Sequence, residues 1–310
     1  MNLLPAISIL IVLAALFGYA NVRFLKLPTT IGLMIISIVF SLGMLLVGYF
    51  QPQVIELETE LVREIDFQKL LMDGMLSFLL FAGALHVNFG QLKQQRLPII
   101  LFATLGVLMS TFLVAGMMYG VFSMLGLTVP FIFCLLFGAL ISPTDPIAVL
   151  GILKKAGAPE KLETKIVGES LFNDGIGVVV FATIYQLARA SNQEIEFGEI
   201  AFLFLEEVGG GIVLGLALGY IAFQLMRRID DYEVEVLITL AVVMGGYLLA
   251  SQLHFSGPLA MVVAGIMIGH ERFRTSAMSE ITETYVDKFW ELIDNLLNAV
   301  LFVIIGLEIV

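Results

Sequence analysis

The sequence predicts an all-α polytopic membrane protein of about ten transmembrane helices, one of them broken near Thr144-Asp145. Three observations predict it. The 310 residues are 59% hydrophobic and only 14% charged, with a mean hydropathy of +0.99, far above that of a soluble domain. Apolar runs of the roughly 20 residues that cross a hydrocarbon core about 30 Å thick as a helix recur along the whole chain. The basic residues gather on one side of those runs.

In order, the runs are 3–22, 30–50, 70–90, 98–122, 130–153, 165–189, 200–226, 233–252, 256–270 and 287–310. The first begins Met1-Asn2-Leu3 with no basic residue ahead of it and is followed by Arg23 and Lys26, so it reads as a retained helix and not as a cleaved signal. The longest polar connection, 51–69, is expected to form an amphipathic outer helix. The fifth run holds Pro143-Thr144-Asp145-Pro146, and the sixth holds GESLFNDGIGVVVF at 168–181. In the seventh, Gly211, Gly215 and Gly219 repeat at four-residue spacing, which suits close helix packing. The ninth is short, and the tenth ends in NAVLFVIIGLEIV without a polar tail. With no soluble domain or long linker between the runs, residues 1–310 read as a single transmembrane domain.

Loops on the cytoplasmic side of a membrane protein hold the Lys and Arg. With the N-terminus outside, the inner loops collect Arg23, Lys26, Lys93, Arg96, Lys154, Lys155, Lys161, Lys165, Arg227, Arg228, Arg272, Arg274 and Lys288, which is 13 of the 16 basic residues. The outer side keeps Arg63, Lys69 and Arg189 beside a larger set of acids. Span count and charge bias therefore agree, and the lipid bilayer is the first partner.

Other chemistries lack their residues. The basic residues form no continuous face for a nucleic acid. His86, His254 and His270 stand alone, without HExxH, and read as loop or interfacial histidines. Ser170 has Phe172 where a serine-hydrolase elbow needs glycine, and no GxxxxGK[ST] loop exists to use ATP. Cys134 is the only cysteine, so no intrachain disulfide forms. No cofactor is expected.

Asp145 and Asp174 demand an explanation, because a charged side chain near the bilayer centre costs roughly 2.5–3.5 kcal/mol and faces a cavity or a partner. Counted from the ends of runs five and six, both lie about 12–14 Å from the inner boundary at 1.5 Å per residue. Pro143 and Pro146 lack N–H donors and disturb the helix around Thr144, freeing carbonyl oxygens. Irregular backbone at that depth is tolerated only inside protein or beside a wet cavity, and secondary transporters use such broken helices to coordinate ions. On run six, Glu169 and Asn173 are four apart, as are Ser170 and Asp174, so one polar stripe faces inward.

Prolines alone only kink a helix. Two aspartates at matched depth beside Ser170, Asn173 and Glu169 point to ion chemistry. Burial disfavours the charged form of a carboxyl group, and a second carboxylate disfavours it further, so the coupled pair is expected to hold a proton that an arriving cation displaces. Ser170 and the Thr144 carbonyl are placed to complete an oxygen shell. Asn173 is the neutral neighbour able to stabilise the broken segment or Asp145.

The run GALISPTDPIAVLGILKKAGAPEKLETKIVGESLFNDGIGVVVF resembles the monovalent cation:proton antiporter-1 family, the sodium/proton exchangers. The signatures are Thr144-Asp145-Pro146 and Asn173-Asp174, the latter preceded by Gly168-Glu169-Ser170; weaker matches are FAGALHVNFGQLK, HFSGPLAMVVAGIMIGH and NAVLFVIIGLEI. The resemblance implies an inverted-repeat antiporter fold and a homodimer in the cytoplasmic membrane that exchanges Na+ or Li+ for H+ by an elevator-like motion. It makes Asp174 the principal cation and proton carboxylate, assisted by Asp145, Thr144 and Ser170, with Na+ held at Asp174 and Asp145. Asn173 in place of a second aspartate implies electroneutral exchange, and Glu169 is a supporting group normally paired with a later arginine. Family members run to twelve or more spans, so the second repeat is incomplete here and a longer product is expected. Some relatives carry an acid where this chain has Ala82.

Within the same mechanism the rival is a K+/H+ antiporter. A non-transporting membrane subunit or sensor is a second alternative. An intramembrane aspartyl protease needs GxGD, whereas Leu171, Phe172 and Asn173 precede Asp174.

Overall fold

The computed structural model describes residues 3–50, 74–145, 157, 159–189 and 197–308. Among them every regular element is a helix: α1 Leu3–Ala20, α2 Thr29–Phe50, α3 Leu76–Leu85, α4 Phe89–Gln94, α5 Arg96–Leu101, α6 Val107–Met124, α7 Phe131–Ile141, α8 Glu160–Arg189, α9 Phe197–Met226, α10 Tyr232–Gln252, α11 Gly257–Gly269, α12 Glu271–Ala277 and α13 Glu280–Glu308. Wider π turns extend α1 through Asn21–Leu25 and join α5 to α6 at Phe102–Gly106. Among the described residues seven helical stretches are long and apolar enough to cross a membrane, and three shorter apolar helices, Leu76–Leu85, Phe131–Ile141 and Gly257–Gly269, complete the ten predicted runs. The chain is a multi-pass membrane protein.

Most boundaries follow local chemistry. Asp231 caps α10 by accepting the N–H groups of Glu233 at 3.0 Å and Val234 at 3.2 Å, and Glu233 and Glu235 place negative charge at the positive end of the helix. Ser256 caps α11, and Pro258 in its first turn gives up an N–H that would have no helical partner. Asn88 accepts the Gln91 N–H at 3.1 Å and starts the separate helix α4, so the third run ends at Leu85 and not at residue 90.

Helix α7 ends at Ile141, at the predicted break, and the rest of that run from residue 146 lies outside the described residues. Two ends depart further from the hydropathy pattern: α8 begins at Glu160, not 165, and α13 begins at Glu280, not 287. Both are charged first turns, EKLETK and EITETYVDK, which hydropathy discards although helices accept them readily. Segment 51–69 and Pro146 lie outside the described residues.

The described residues group into two compact units. One holds α1, α2 and α13 from Trp290 onward; the other runs from Leu80 through α12 and into α13 as far as Phe289. In the first, Leu10, Ala14 and Phe17 of α1 pack with Leu33 of α2 and with Val303 and Ile304 of α13. A β-carbon on Gly306 would lie 2.4 Å from the Ser37 β-carbon, so glycine permits that contact. Asn21 is buried; its side chain donates to the Leu27 carbonyl at 3.0 Å and accepts from the Leu27 N–H at 3.3 Å, tying the α1–α2 turn.

In the second unit the glycine repeat of α9 lies against α11. A β-carbon would come within 2.8 Å of the Ser256 carbonyl at Gly211, 2.5 Å of the Ala260 carbonyl at Gly215 and 2.7 Å of the Met267 sulfur at Gly219. Gly138 of α7 passes equally close to the Thr111 carbonyl of α6, 2.3 Å from an added β-carbon. Lipid offers apolar surfaces as good as a neighbouring helix, so such backbone proximity supplies the packing that holds membrane helices together.

Candidate functional site

Helix α7 ends in Gly138-Ala139-Leu140-Ile141, and Ser142 turns its hydroxyl back onto the Gly138 carbonyl at 2.6 Å. Thr111 of α6 donates to that same hydroxyl at 3.3 Å. Pro143 has no N–H to continue the ladder, so Thr144 and Asp145 follow as non-helical chain. The predicted break is present, and it begins at Ser142.

Opposite this break, α8 presents its polar stripe. Ser170 donates to the main-chain carbonyl of Thr144 at 2.7 Å. Asn173 uses both amide hydrogens: Nδ2 lies 2.9 Å from Thr144 Oγ1 and 2.7 Å from Glu169 Oε1. Thr144 Oγ1 in turn donates toward the Glu169 carboxylate, 3.2 Å from Oε2. Ser170 and Asn173 are fully buried, Glu169 and Asp174 are half-buried, and Thr144 and Asp145 are exposed. Asn173 Oδ1 is buried with no hydrogen-bond partner among the described residues, an acceptor left unused beside two carboxylates.

Asp145 and Glu169 lie within electrostatic reach of the Asp174 carboxylate. Thr144, Asp145, Glu169, Ser170, Asn173 and Asp174 therefore come together, with Pro143 beside them. Its ring lies on Gly177, where a β-carbon would be 2.4 Å from Pro143 Cγ. Gly168 makes room for Leu92 and Ile99, and Gly175 lies against Leu259 of α11. These glycines let four neighbouring segments converge on the stripe.

Two details differ from expectation. Asp174 lies 14 residues inside α8, about 21 Å along its axis at 1.5 Å per residue, because the helix starts earlier than hydropathy indicates. The Thr144 carbonyl, one of the expected oxygen ligands, is engaged by Ser170. One lone pair of that carbonyl remains.

Residues that carried no site role at the level of sequence form a second cluster. Arg274 of α12 makes a bidentate pair with Asp287 at 2.8 Å and 2.8 Å, reaches Glu283 at 3.0 Å and donates to the Leu85 carbonyl at 3.2 Å. The spacing of Glu283 and Asp287, one helical turn apart, was the available signal. Nothing in the sequence pairs them with an arginine on another helix.

Comparison with known proteins places this geometry in a family. The profile described as "Sodium/hydrogen exchanger, transmembrane" matches residues 11–310. The Na(+)/H(+) antiporter NhaP of Pseudomonas aeruginosa is 53% identical over 311 residues, covering 99% of this chain and 72% of that protein. The Na(+)/H(+) antiporter NhaH of Halobacillus aidingensis is 35% identical over 309 residues, with 99% and 72% covered. Among solved structures, the sodium proton antiporter MjNhaP1 of Methanocaldococcus jannaschii superposes with a TM-score of 0.73 at 22% identity, over 99% of this chain and 70% of that one, and so shares the fold. With nearly its whole length matched, and with a broken α7 facing the acidic stripe of α8, the chain belongs to the sodium/hydrogen exchanger family.

Proposed function

We propose that this chain exchanges Na+ or Li+ for H+ across the cell membrane by alternating access, cation and proton competing for the Asp174/Asp145 pair. One observation carries the reading. The broken end of α7 is fastened to α8 by Ser170 and Asn173 beside Asp174, so carbonyl, hydroxyl and carboxylate oxygens converge on one place. Hard oxygen donors suit an alkali cation, and a carboxylate that binds either a cation or a proton converts a gradient of one into transport of the other.

Ser170, Thr144 and the unused Asn173 oxygen are the neutral donors of the set, and Asp174 is the group that gives up its proton. Glu169 holds Asn173 and Thr144 in place. The chemistry needs no cofactor or ATP. We assign a single transmembrane exchanger domain, a homodimer, an N-terminus outside and electroneutral stoichiometry. The inner charge bias supports the orientation, and the neutral Asn173 beside Asp174 supports the stoichiometry.

The test is exchange in sealed vesicles containing the full-length protein. Addition of Na+ or Li+ dissipates an imposed pH gradient, and Asp174→Asn abolishes the response while the protein remains folded by size-exclusion chromatography. Unchanged exchange in that variant removes Asp174 from its role. A response to K+ and none to Na+ reassigns the cation.

A further inference from the structure

His86 follows the last turn of α3 and lines a cavity of about 710 Å³ together with Arg274, Glu283 and Asp287. Its ring has an assigned direction. Nδ1 lies 2.8 Å from the Ala82 carbonyl, which only accepts, so Nδ1 carries the hydrogen. In the neutral ring Nε2 is then a lone pair, and it faces Asp287 Oδ1 across 3.9 Å. A lone pair and a carboxylate offer each other no hydrogen bond. A proton on Nε2 turns the same contact into a charged N–H facing an anion, the kind of pair that closes to about 2.7–2.9 Å.

We infer that His86 is a proton-operated second cation for Asp287, tightening the junction between the end of α3 and α13 when acid. The ring is exposed, so protons reach it. The groups facing it fix the outcome. Arg274 already holds Asp287 and Glu283 on α13, and it also binds the Leu85 carbonyl, the residue before His86. Burial lowers the proton affinity of Arg274, but Asp287 and Glu283 outweigh that and hold it above its ordinary range, so this cation is permanent. Lys93 of α4 and the neighbouring opposite charges Glu271 and Arg272 stand exposed at the cavity rim.

His270 lines the same cavity in the other tautomer. Its Nδ1 accepts the Arg272 N–H at 3.0 Å as the cap of α12, so protonation there loses a bond where His86 gains one. The junction reaches the polar stripe through packing. Leu85 lies against Gly269 of α11, and Gly83 of α3 lies against Leu171 of α8.

Hydrogen–deuterium exchange on the full-length protein in lipid nanodiscs tests this without any cation gradient, so it stands or falls apart from the transport reading. The amides of 86–94 are followed at about pH 6 and about pH 8, corrected for intrinsic exchange chemistry. Protection is expected to rise on the order of threefold at the acid pH in the wild-type protein and in Asp174→Asn. His86→Gln is expected to show the low protection at both pH values, and His86→Lys, a permanent cation, the high protection at both. A wild-type protein without the pH difference overturns the inference, as does a difference that survives His86→Gln. Loss of the difference in His270→Gln with His86 intact assigns the switch to the α12 cap and overturns it equally.

Discussion

Ser170 gives its hydroxyl proton to the main-chain carbonyl of Thr144 across 2.7 Å, so the helix that carries Asp174 also satisfies the backbone that α7 leaves open. Removal of that hydroxyl takes one buried hydrogen bond from the site without changing its charge. Ser170→Ala is expected to raise the Na+ concentration for half-maximal exchange about threefold to tenfold, the equivalent of a net hydrogen bond of about 0.5–1.5 kcal/mol. Dequenching of a pH-sensitive dye in proteoliposomes, titrated with Na+, measures it. An unchanged titration detaches Ser170 from the site.

Asn173 bridges Thr144 and Glu169 with its two amide hydrogens. Asn173→Ala removes both hydrogen bonds, at a cost of about 0.5–1.5 kcal/mol for each, and is expected to lower the Tm of the detergent-solubilised protein. Asn173→Asp substitutes an anion facing Glu169. Two ionised carboxylates side by side repel, so the Tm of this variant is expected to fall further as pH rises, with partial recovery in acid. Thermal unfolding by intrinsic fluorescence across pH reads the difference; a pH-independent Tm equal to that of Asn173→Ala contradicts the assigned contact.

The ten runs were legible because hydrocarbon demands apolar stretches: among the described residues seven form helices long enough to cross it, and α3, α7 and α11 are shorter apolar helices. The break at Asp145 and the stripe from Glu169 to Asp174 were legible too, since proline and i, i+4 spacing are local signals. Helix ends were not. The charged turns of 160–165 and 280–287 are helical although hydropathy reads them as loop. Long-range pairing was equally hidden: Arg274 reaches a carbonyl 189 residues away, and the Thr144–Asn173 bond spans 29 residues, neither of which leaves a periodic trace. The isolated look of His86 in the sequence came from the same blindness, because its facing carboxylate belongs to α13.

The glycine repeat in α9 makes a stability prediction independent of ion chemistry. At Gly215 a β-carbon would lie 2.5 Å from the Ala260 carbonyl, main chain that cannot swing aside, whereas at Gly116 of α6 nothing lies within 4 Å. Gly215→Ala is expected to destabilise by about 1–3 kcal/mol, as overpacking does. Gly116→Ala is expected to be neutral or slightly stabilising, by up to about 1 kcal/mol of helix preference. Parallel melts of the two variants decide it; equal Tm values dissolve the assigned α9–α11 contact.

Thr144 separates the role of a hydroxyl from the role of a shape. Its Oγ1 accepts from Asn173 at 2.9 Å and donates toward Glu169 at 3.2 Å, while its carbonyl serves Ser170. Valine copies the volume and keeps the carbonyl but loses the hydroxyl, leaving an Asn173 hydrogen and a Glu169 oxygen facing a methyl group. Serine keeps the hydroxyl and loses only that methyl. Thr144→Val is therefore expected to cut exchange at least about fivefold, since an unsatisfied buried donor costs about 1–3 kcal/mol, and Thr144→Ser is expected to stay within about threefold of wild type. Initial rates of Na+-driven dequenching, normalised to reconstituted protein, compare the two. If valine transports as well as serine, the hydroxyl does not organise the break, and the anchoring of α7 to α8 rests on the Ser170 bond alone.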